Sequence, residues 1–374
     1  MTIPVGVRGA VAGAPGGLAL AGAAPAGDAG RERARAEAAG LVVGVVPQRG
    51  IGHLETGRMA DAGIGSLRFW LSWPSVEPER GHYDWSGPDQ IVESAAASGI
   101  ATLPYLYGSP GWAIALDGYD CEVKCGAYAP ASALTRGAFA SFAGAAVRRY
   151  GPEGSFWRAH PALPHLPIRA WQVWNEQNSP FFFRPRADAS SYAALLERTA
   201  TAVRAVDPGA EVIVGGMWGA TSSPSGVIGT GRYLRDLYRV DGASESFDSI
   251  SVHPYDPRTK GVLAQIRAAR RVARRAGDAA AGLWVTEVGW ASAGRRNEGL
   301  VKGRSGQARM LRRTFTRLID RAERWNLRGA YWYAWRDTVR GGAVCAWCAR
   351  AGLLTRGGRA KPAYRALRTL VGPG

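Results

Sequence analysis

Lysine is nearly missing from this chain. Of 47 basic residues only Lys124, Lys260, Lys302 and Lys361 are lysines; the rest are arginines, and against 30 acidic residues they give a formal net charge of +17. GC-rich coding produces such a skew without selection for binding, and the alternative is an anionic partner such as an acidic glycan or an envelope surface. Nucleic acid is not among the expected partners. Long apolar runs are also missing: beyond residue 40 no stretch offers the roughly 18 uninterrupted apolar residues that a spanning helix needs, so no membrane span is expected. No segment repeats at a fixed period of about 20 to 50 residues, which excludes a solenoid or propeller. The first strand-like run is followed by "VVPQRGIGHLE", which has neither G-x-G-x-x-G nor Walker spacing, and this excludes the usual phosphate-cradling loops.

Cysteine is scarce. The four cysteines form two close pairs, Cys121 with Cys125 and Cys345 with Cys348, and four thiols allow three pairings or one four-thiolate zinc site. Two local disulfides are favoured if the chain is exported, because both pairs lie in loop-like sequence. They read as staples and not as redox chemistry. Residues 1–40 are dominated by Ala, Gly and Pro and end in "RERARAEA"; they read as a signal-like or low-complexity leader, with residues 41–374 as the folded domain. Export to the cell envelope or beyond is the corresponding localisation.

What is present is alternation. After Gly40 eight short apolar runs begin near Leu41, Ser66, Ala101, Arg169, Glu211, Phe247, Gly282 and Gly329, with amphipathic runs between them. In "ASSYAALLERTATAVRAV", Tyr192, Leu195, Leu196, Thr199, Val203 and Val206 keep one helical face, Asp188 is the expected N-cap, and "DPG" ends the helix. Several strand runs are apolar on both faces, as helix-covered parallel strands require. Eight such units predict an α/β protein, a single (β/α)8 TIM barrel, with a doubly wound open sheet as the runner-up.

Barrel enzymes place their chemistry at the C-terminal ends of the strands. Glu176 follows "WQVWN" at the end of the fourth run and Glu287 follows "LWVT" at the end of the seventh. Strands four and seven stand nearly opposite one another across an eight-stranded barrel, so the two carboxylates converge over its mouth. Facing carboxylates suit glycosidic bond cleavage, in which one protonates the leaving oxygen and the other attacks or stabilises the sugar carbon.

These motifs resemble those of the retaining glycoside hydrolases of clan A, in the neighbourhood of families five and thirty-nine. "WNEQN" is similar to the clan's strand-four motif and "VTEVGW" to its nucleophile motif. "LRFWLSWPSVEPERGHYDW", "GSPGWA", "SVHPY" and "WYAWRD" follow in the clan's order. The resemblance implies Glu176 as general acid/base, Glu287 as nucleophile, and Asn175 as the partner of the sugar 2-hydroxyl. It also implies that Arg68 and Tyr255 tune Glu287. Trp335 would be the stacking floor of the central subsite, with Trp112 and His253 in the substrate site and Trp70, Trp73, Trp174, Trp218 and Trp290 as candidates for further subsites. His253 read alone equally satisfies a buried carbonyl, and Glu77 reads as loop scaffolding. A retaining pair implies carboxyl groups about 5 to 5.5 Å apart. Gln177 stands where many relatives carry proline, and "PFFFRPRADAS" reads either as an aglycone rim with arginines for an acidic glycan or as a self-packed loop. The expected substrate is an oligo- or polysaccharide, anionic on one reading of the charge, with no metal or organic cofactor and a monomeric enzyme. A non-catalytic glycan-binding barrel and a transglycosylase sharing the intermediate are the alternatives.

Overall fold

The computed structural model describes residues 28–48, 51–122, 125–219, 226–295, 299–339 and 345–372. Eight strands, β1 (Val42–Val46), β2 (Ser66–Ser72), β3 (Ala101–Tyr107), β4 (Ala170–Asn175), β5 (Glu211–Trp218), β6 (Ser249–His253), β7 (Gly282–Val288) and β8 (Leu327–Tyr333), pair in sequence order into a closed barrel. All the pairings are parallel, and β1 closes against β8 from Val42 beside Gly329 to Val46 beside Tyr333. The eight expected runs are these strands, so the barrel and not the open sheet is the fold.

Alternation along each strand divides the chain between two cores. Outward residues such as Leu67, Phe69, Leu71, Trp171, Val173, Val212, Ile250, Leu283 and Trp332 are buried against the helical shell. Inward, a smaller layer of Val46, Leu103, Ile213, Trp284 and Tyr331 plugs the barrel. Glycines make room for its large rings: a Cβ on Gly44 would stand 2.3 Å from the Tyr331 ring, and one on Gly329 would stand 2.5 Å from Trp284. Above that layer, at the C-terminal mouth of the barrel, opens a cleft.

The helix Ala189–Val206 begins as expected, with the Asp188 side chain accepting from Ser191 N at 2.7 Å. At the chain start, a helix over Asp28–Ala38 packs on the helices Pro362–Val371 and Gly303–Ile319. Ala36 is buried, and Arg35 pairs with Asp320 at 2.6 Å. The packed unit therefore takes in "RERARAEA", which the sequence reading assigned to the leader. Its mean hydropathy is too low to signal burial, yet Ala36 is buried in the core while Arg33 and Glu37 pair along the outer side at 2.7 Å. The rest of that leader, residues 1–27, lies outside the described residues. Among the described residues no helix is long and apolar enough to cross a membrane.

Candidate active site

The end of β4 is where the backbone departs from ordinary strand geometry. Trp174 and Glu176 both have positive φ, 71° and 49°, a conformation costing about 1–3 kcal/mol per non-glycine residue that surrounding packing must offset. Trp174 is fully buried against Tyr107, Phe139 and Phe183, and its indole donates to Phe182 O at 2.7 Å. Glu176 N donates to Gly216 O at 3.0 Å. With the backbone so held, Asn175 and Glu176 both line the cleft at the barrel mouth.

The paired glycines in "VIVGGMW" of β5 receive what β4 and β6 bring. A Cβ on Gly215 would stand 2.3 Å from Gln177 Oε1, and one on Gly216 would stand 2.0 Å from His253 Nε2. Gln177 is buried and donates to Gly215 O at 2.9 Å, so its amide pins the turn that a proline would otherwise stiffen.

Arg68 is the hub beneath the mouth. It has no exposed surface and donates at 2.7 Å each to Gln172 Oε1, Glu287 Oε1 and Asn175 Oδ1, while its guanidinium lies 4.1 Å over the Tyr105 ring. Gln172 in turn donates to Ser251 Oγ at 2.9 Å. Because Arg68 takes the Asn175 oxygen, the Asn175 amide nitrogen is the group left to donate to a ligand.

The two glutamates sit in different surroundings. Glu287 receives Arg68 on Oε1 and the Tyr255 hydroxyl on Oε2 at 2.7 Å. Glu176 meets His253 Nδ1 at 2.8 Å, and the other ring nitrogen lies 3.0 Å from Thr286 Oγ1. One oxygen from each carboxylate and one His253 nitrogen lie within 4.8 Å of one another. Burial pushes the Glu176 carboxyl above its ordinary value, and the opposing pull of His253 and Arg68 does not cancel this. Burial also pushes Glu287 upward, but there the neighbouring His253 and Arg68, with hydrogen bonds from Tyr255 and Arg68, outweigh it and hold the carboxyl below its ordinary value. Burial and the Glu287 charge raise Tyr255 well above the usual phenol range, so it stays a donor. Glu176, His253 and Glu287 are spaced like metal ligands, but two donors already occupy Glu287 and a buried guanidinium stands 2.7 Å from it. That charge disfavours a bound cation.

Above the carboxylates opens a cleft of about 570 Å³ walled by Gln48, Trp70, Tyr105, Phe182, Trp218, Tyr333 and Trp347. Trp70 is 47% exposed and presents a free ring face at the rim. Trp347 stands edge-on to Tyr255 and Tyr333, at 5.1 and 6.2 Å between ring centres, and the Cys345–Cys348 disulfide that brackets it forms part of the same wall. The other disulfide joins Cys121 to Cys125. Among the described residues lining the cleft, Glu176 and Glu287 are the only charged ones.

Trp335 does not reach this cleft. β8 ends at Tyr333, and Trp335 is 3% exposed, hydrogen-bonded to Glu55 and packed 6.0 Å from Tyr364. Tyr333 and Trp347 occupy the wall where a floor was expected. Trp112 is also elsewhere: its indole donates to Glu77 O at 3.1 Å and its ring meets Trp73 edge-on at 5.3 Å. Trp73, Trp174 and Trp290 are fully buried, and of the expected subsite tryptophans Trp70 and Trp218 line the cleft. Glu77 accepts from Trp73 and Gly81, which makes it scaffold. Of the aromatic run after Glu176, Phe182 lines the cleft while Phe183 is core. Trp347 was legible only as the residue between the cysteines of "CAWC".

No protein-family model matches the chain, and no curated protein matches it. Solved structures do. A family 39 glycoside hydrolase from Bacteroides cellulosilyticus WH2 superposes with a TM-score of 0.65 at 21% identity, over 88% of this chain and 63% of that one. A monomeric beta-xylosidase from Caulobacter crescentus CB15 gives 0.64 at 19% identity, over 88% and 67%. A GH5_18 variant from Bifidobacterium longum in complex with Manb1-4GlcNAc gives 0.62 at 15% identity, over 88% and 78%. The chain spans less than two thirds of the length of the first of these. The structures it is similar to thus include glycoside hydrolases of families 39 and 5, the neighbourhood its motifs resemble, and at these identities the likeness is one of fold.

Proposed function

We propose that the protein is a retaining glycoside hydrolase acting on an oligo- or polysaccharide, with Glu287 as nucleophile and Glu176 as general acid/base. The observation that carries this reading is the carboxylate pair at the barrel mouth, with one oxygen of each within 4.8 Å and the two acids biased in opposite directions. That spacing suits a direct attack on the sugar carbon and leaves no room for an inverting water.

In the first step an oxygen of Glu287 bonds to the anomeric carbon as the glycosidic C–O bond breaks. Glu176, kept protonated by burial, gives its proton to the departing oxygen. In the second step water attacks the same carbon and passes a proton to Glu176, and Glu287 leaves as carboxylate. One water is consumed and one glycosidic bond is broken. Asn175 donates its amide to the sugar hydroxyl beside the reacting carbon, and Tyr333, Trp347 and Trp70 offer apolar ring faces to the sugars. The two disulfides support an oxidising compartment as the place of work.

The test is intact mass after incubation with 2-deoxy-2-fluoro glycosyl fluorides, with the xylosyl and mannosyl compounds suggested by the neighbours included. An adduct mapping to Glu287, and lost in Glu287→Gln, is the expected result. Turnover of a glycoside by Glu287→Gln at the wild-type rate would overturn the assignment.

A further inference from the structure

The positive charge of this chain is not spread evenly. Residues 258–328 hold 18 of the 47 basic residues and 5 of the 30 acidic ones, so about a fifth of the chain carries 13 of the 17 surplus charges. A coding bias toward arginine would act on every surface helix alike. The helices Thr259–Arg275 and Gly303–Ile319 contain no Asp or Glu at all.

These two helices are neighbours on the outer wall, tied by a hydrogen bond between the Thr259 and Thr314 hydroxyls at 2.9 Å. A groove of about 370 Å³ runs between them, with Lys260 and Arg267 on one side and Arg313, Arg317 and Arg321 on the other. Arg313 and Arg317 are one helical turn apart, about 6 Å along the axis, which approximates the length of one sugar unit. Asp320 neutralises part of one end, at 3.4 Å from Arg317 and 3.8 Å from Arg321. Lys260, Arg267 and Arg313 make no ion pair with any described residue, so their charge is free to meet a ligand. Trp325 in the groove is 7% exposed and offers no ring face on which a nucleobase could stack.

We propose that this groove is a second binding site, for an acidic polysaccharide bearing carboxylate or sulfate on its sugar units. Guanidinium forks suit those groups bidentately. The groove lies on the barrel's flank, away from the mouth, and the cleft itself holds no cation among its described lining residues. The site therefore tethers the protein to an acidic matrix at a place separate from the cleft. The inference does not need the hydrolase reading, and binding and turnover are measured separately.

The test is calorimetric titration of the full-length Glu287→Gln protein with polygalacturonate. Arg267, Arg313 and Arg317 are changed together to Gln in one variant, and Arg198, Arg232 and Arg356 in a charge-matched control. Thermal melts establish that both variants fold. The parent is expected to bind, more weakly at about 200 mM than at 50 mM salt, and the groove variant to lose about tenfold or more in affinity with a shallower salt dependence. The control is expected to stay within about twofold of the parent, since its arginines lie outside the groove and the salt-dependent contacts remain. No binding by the parent, equal loss in both variants, or tighter binding to single-stranded DNA or anionic vesicles than to polygalacturonate would each overturn the proposal.

Discussion

Arg68 Nη1 donates to Glu287 Oε1 at 2.7 Å from a side chain with no exposed surface. Taking one partner from a buried ion pair leaves the other charge uncompensated, which costs about 3–5 kcal/mol. Arg68→Met is therefore expected to lower unfolding stability by about that amount and to abolish turnover. Glu287→Gln keeps the hydrogen bond and loses the charge. The folded carboxyl of Glu287 is held below its unfolded value, so its contribution is present above the unfolded pKa and disappears as pH falls through the folded one. The stability gap between wild type and Glu287→Gln should accordingly shrink on acidification. Urea midpoints at neutral and acid pH measure both effects, and an unchanged midpoint for Arg68→Met would refute the hub role.

Glu176 carries the opposite sign. Its folded carboxyl lies above its unfolded value, with burial the leading cause. The charged form therefore destabilises the fold above the folded pKa, and the penalty vanishes below the unfolded pKa. Glu176→Gln is expected to raise the melting temperature at neutral pH, with the gain fading as the solution is acidified. The same substitution should remove the alkaline limb of the rate profile on activated aryl glycosides while nearly stopping cleavage of poor leaving groups. A gain that persists at low pH would show that Glu176 does not titrate as argued.

Much of this was legible in the sequence, for identifiable reasons. The strands were readable because their apolar runs are bounded by turns, and Glu176 and Glu287 because each is a lone acid ending such a run. Trp335 was misplaced because its role rested on the resemblance of "WYAWRD" to a strand-eight segment, whereas β8 stops at Tyr333 and Trp335 lies two residues beyond it, bonded to Glu55. The helix Asp28–Ala38 was passed over because its buried residue, Ala36, scarcely registers beside the arginines and glutamates around it. Trp347 reaches the cleft from a segment far from any strand pattern, and no periodicity reports that placement.

The relocation of the aromatic wall makes a paired prediction. Trp347→Ala should raise KM several-fold, since a ring facing the sugar is lost while the carboxylates stay in place. Trp335→Phe removes a buried indole hydrogen bond to Glu55, so it should lower stability by about 1 kcal/mol and leave KM unchanged. Initial-rate kinetics on one small glycoside compares them, and a raised KM in Trp335→Phe alone would return the floor to Trp335.

Gly216 offers a sharper test of how the fold serves the site. A Cβ there would stand 2.0 Å from His253 Nε2. The His253 ring cannot swing away cheaply, being held at 2.8 Å to Glu176 and 3.0 Å to Thr286. Gly216→Ala is thus expected to destabilise by about 1–3 kcal/mol through overpacking and to cut kcat more than KM, because the displaced ring takes the acid's hydrogen bond with it. His253 also pulls the Glu176 carboxyl downward, so its displacement should move the alkaline limb of the rate profile to higher pH. Gly57, in the helix His53–Asp61, has nothing within 4 Å of an added Cβ. Gly57→Ala should stabilise by about 0.5–1 kcal/mol with unchanged kinetics. Both substitutions restrict the unfolded chain alike, so the difference between them isolates the contact with His253. If Gly216→Ala behaved like Gly57→Ala, the close approach of β5 to His253 would not be what holds the acid in place.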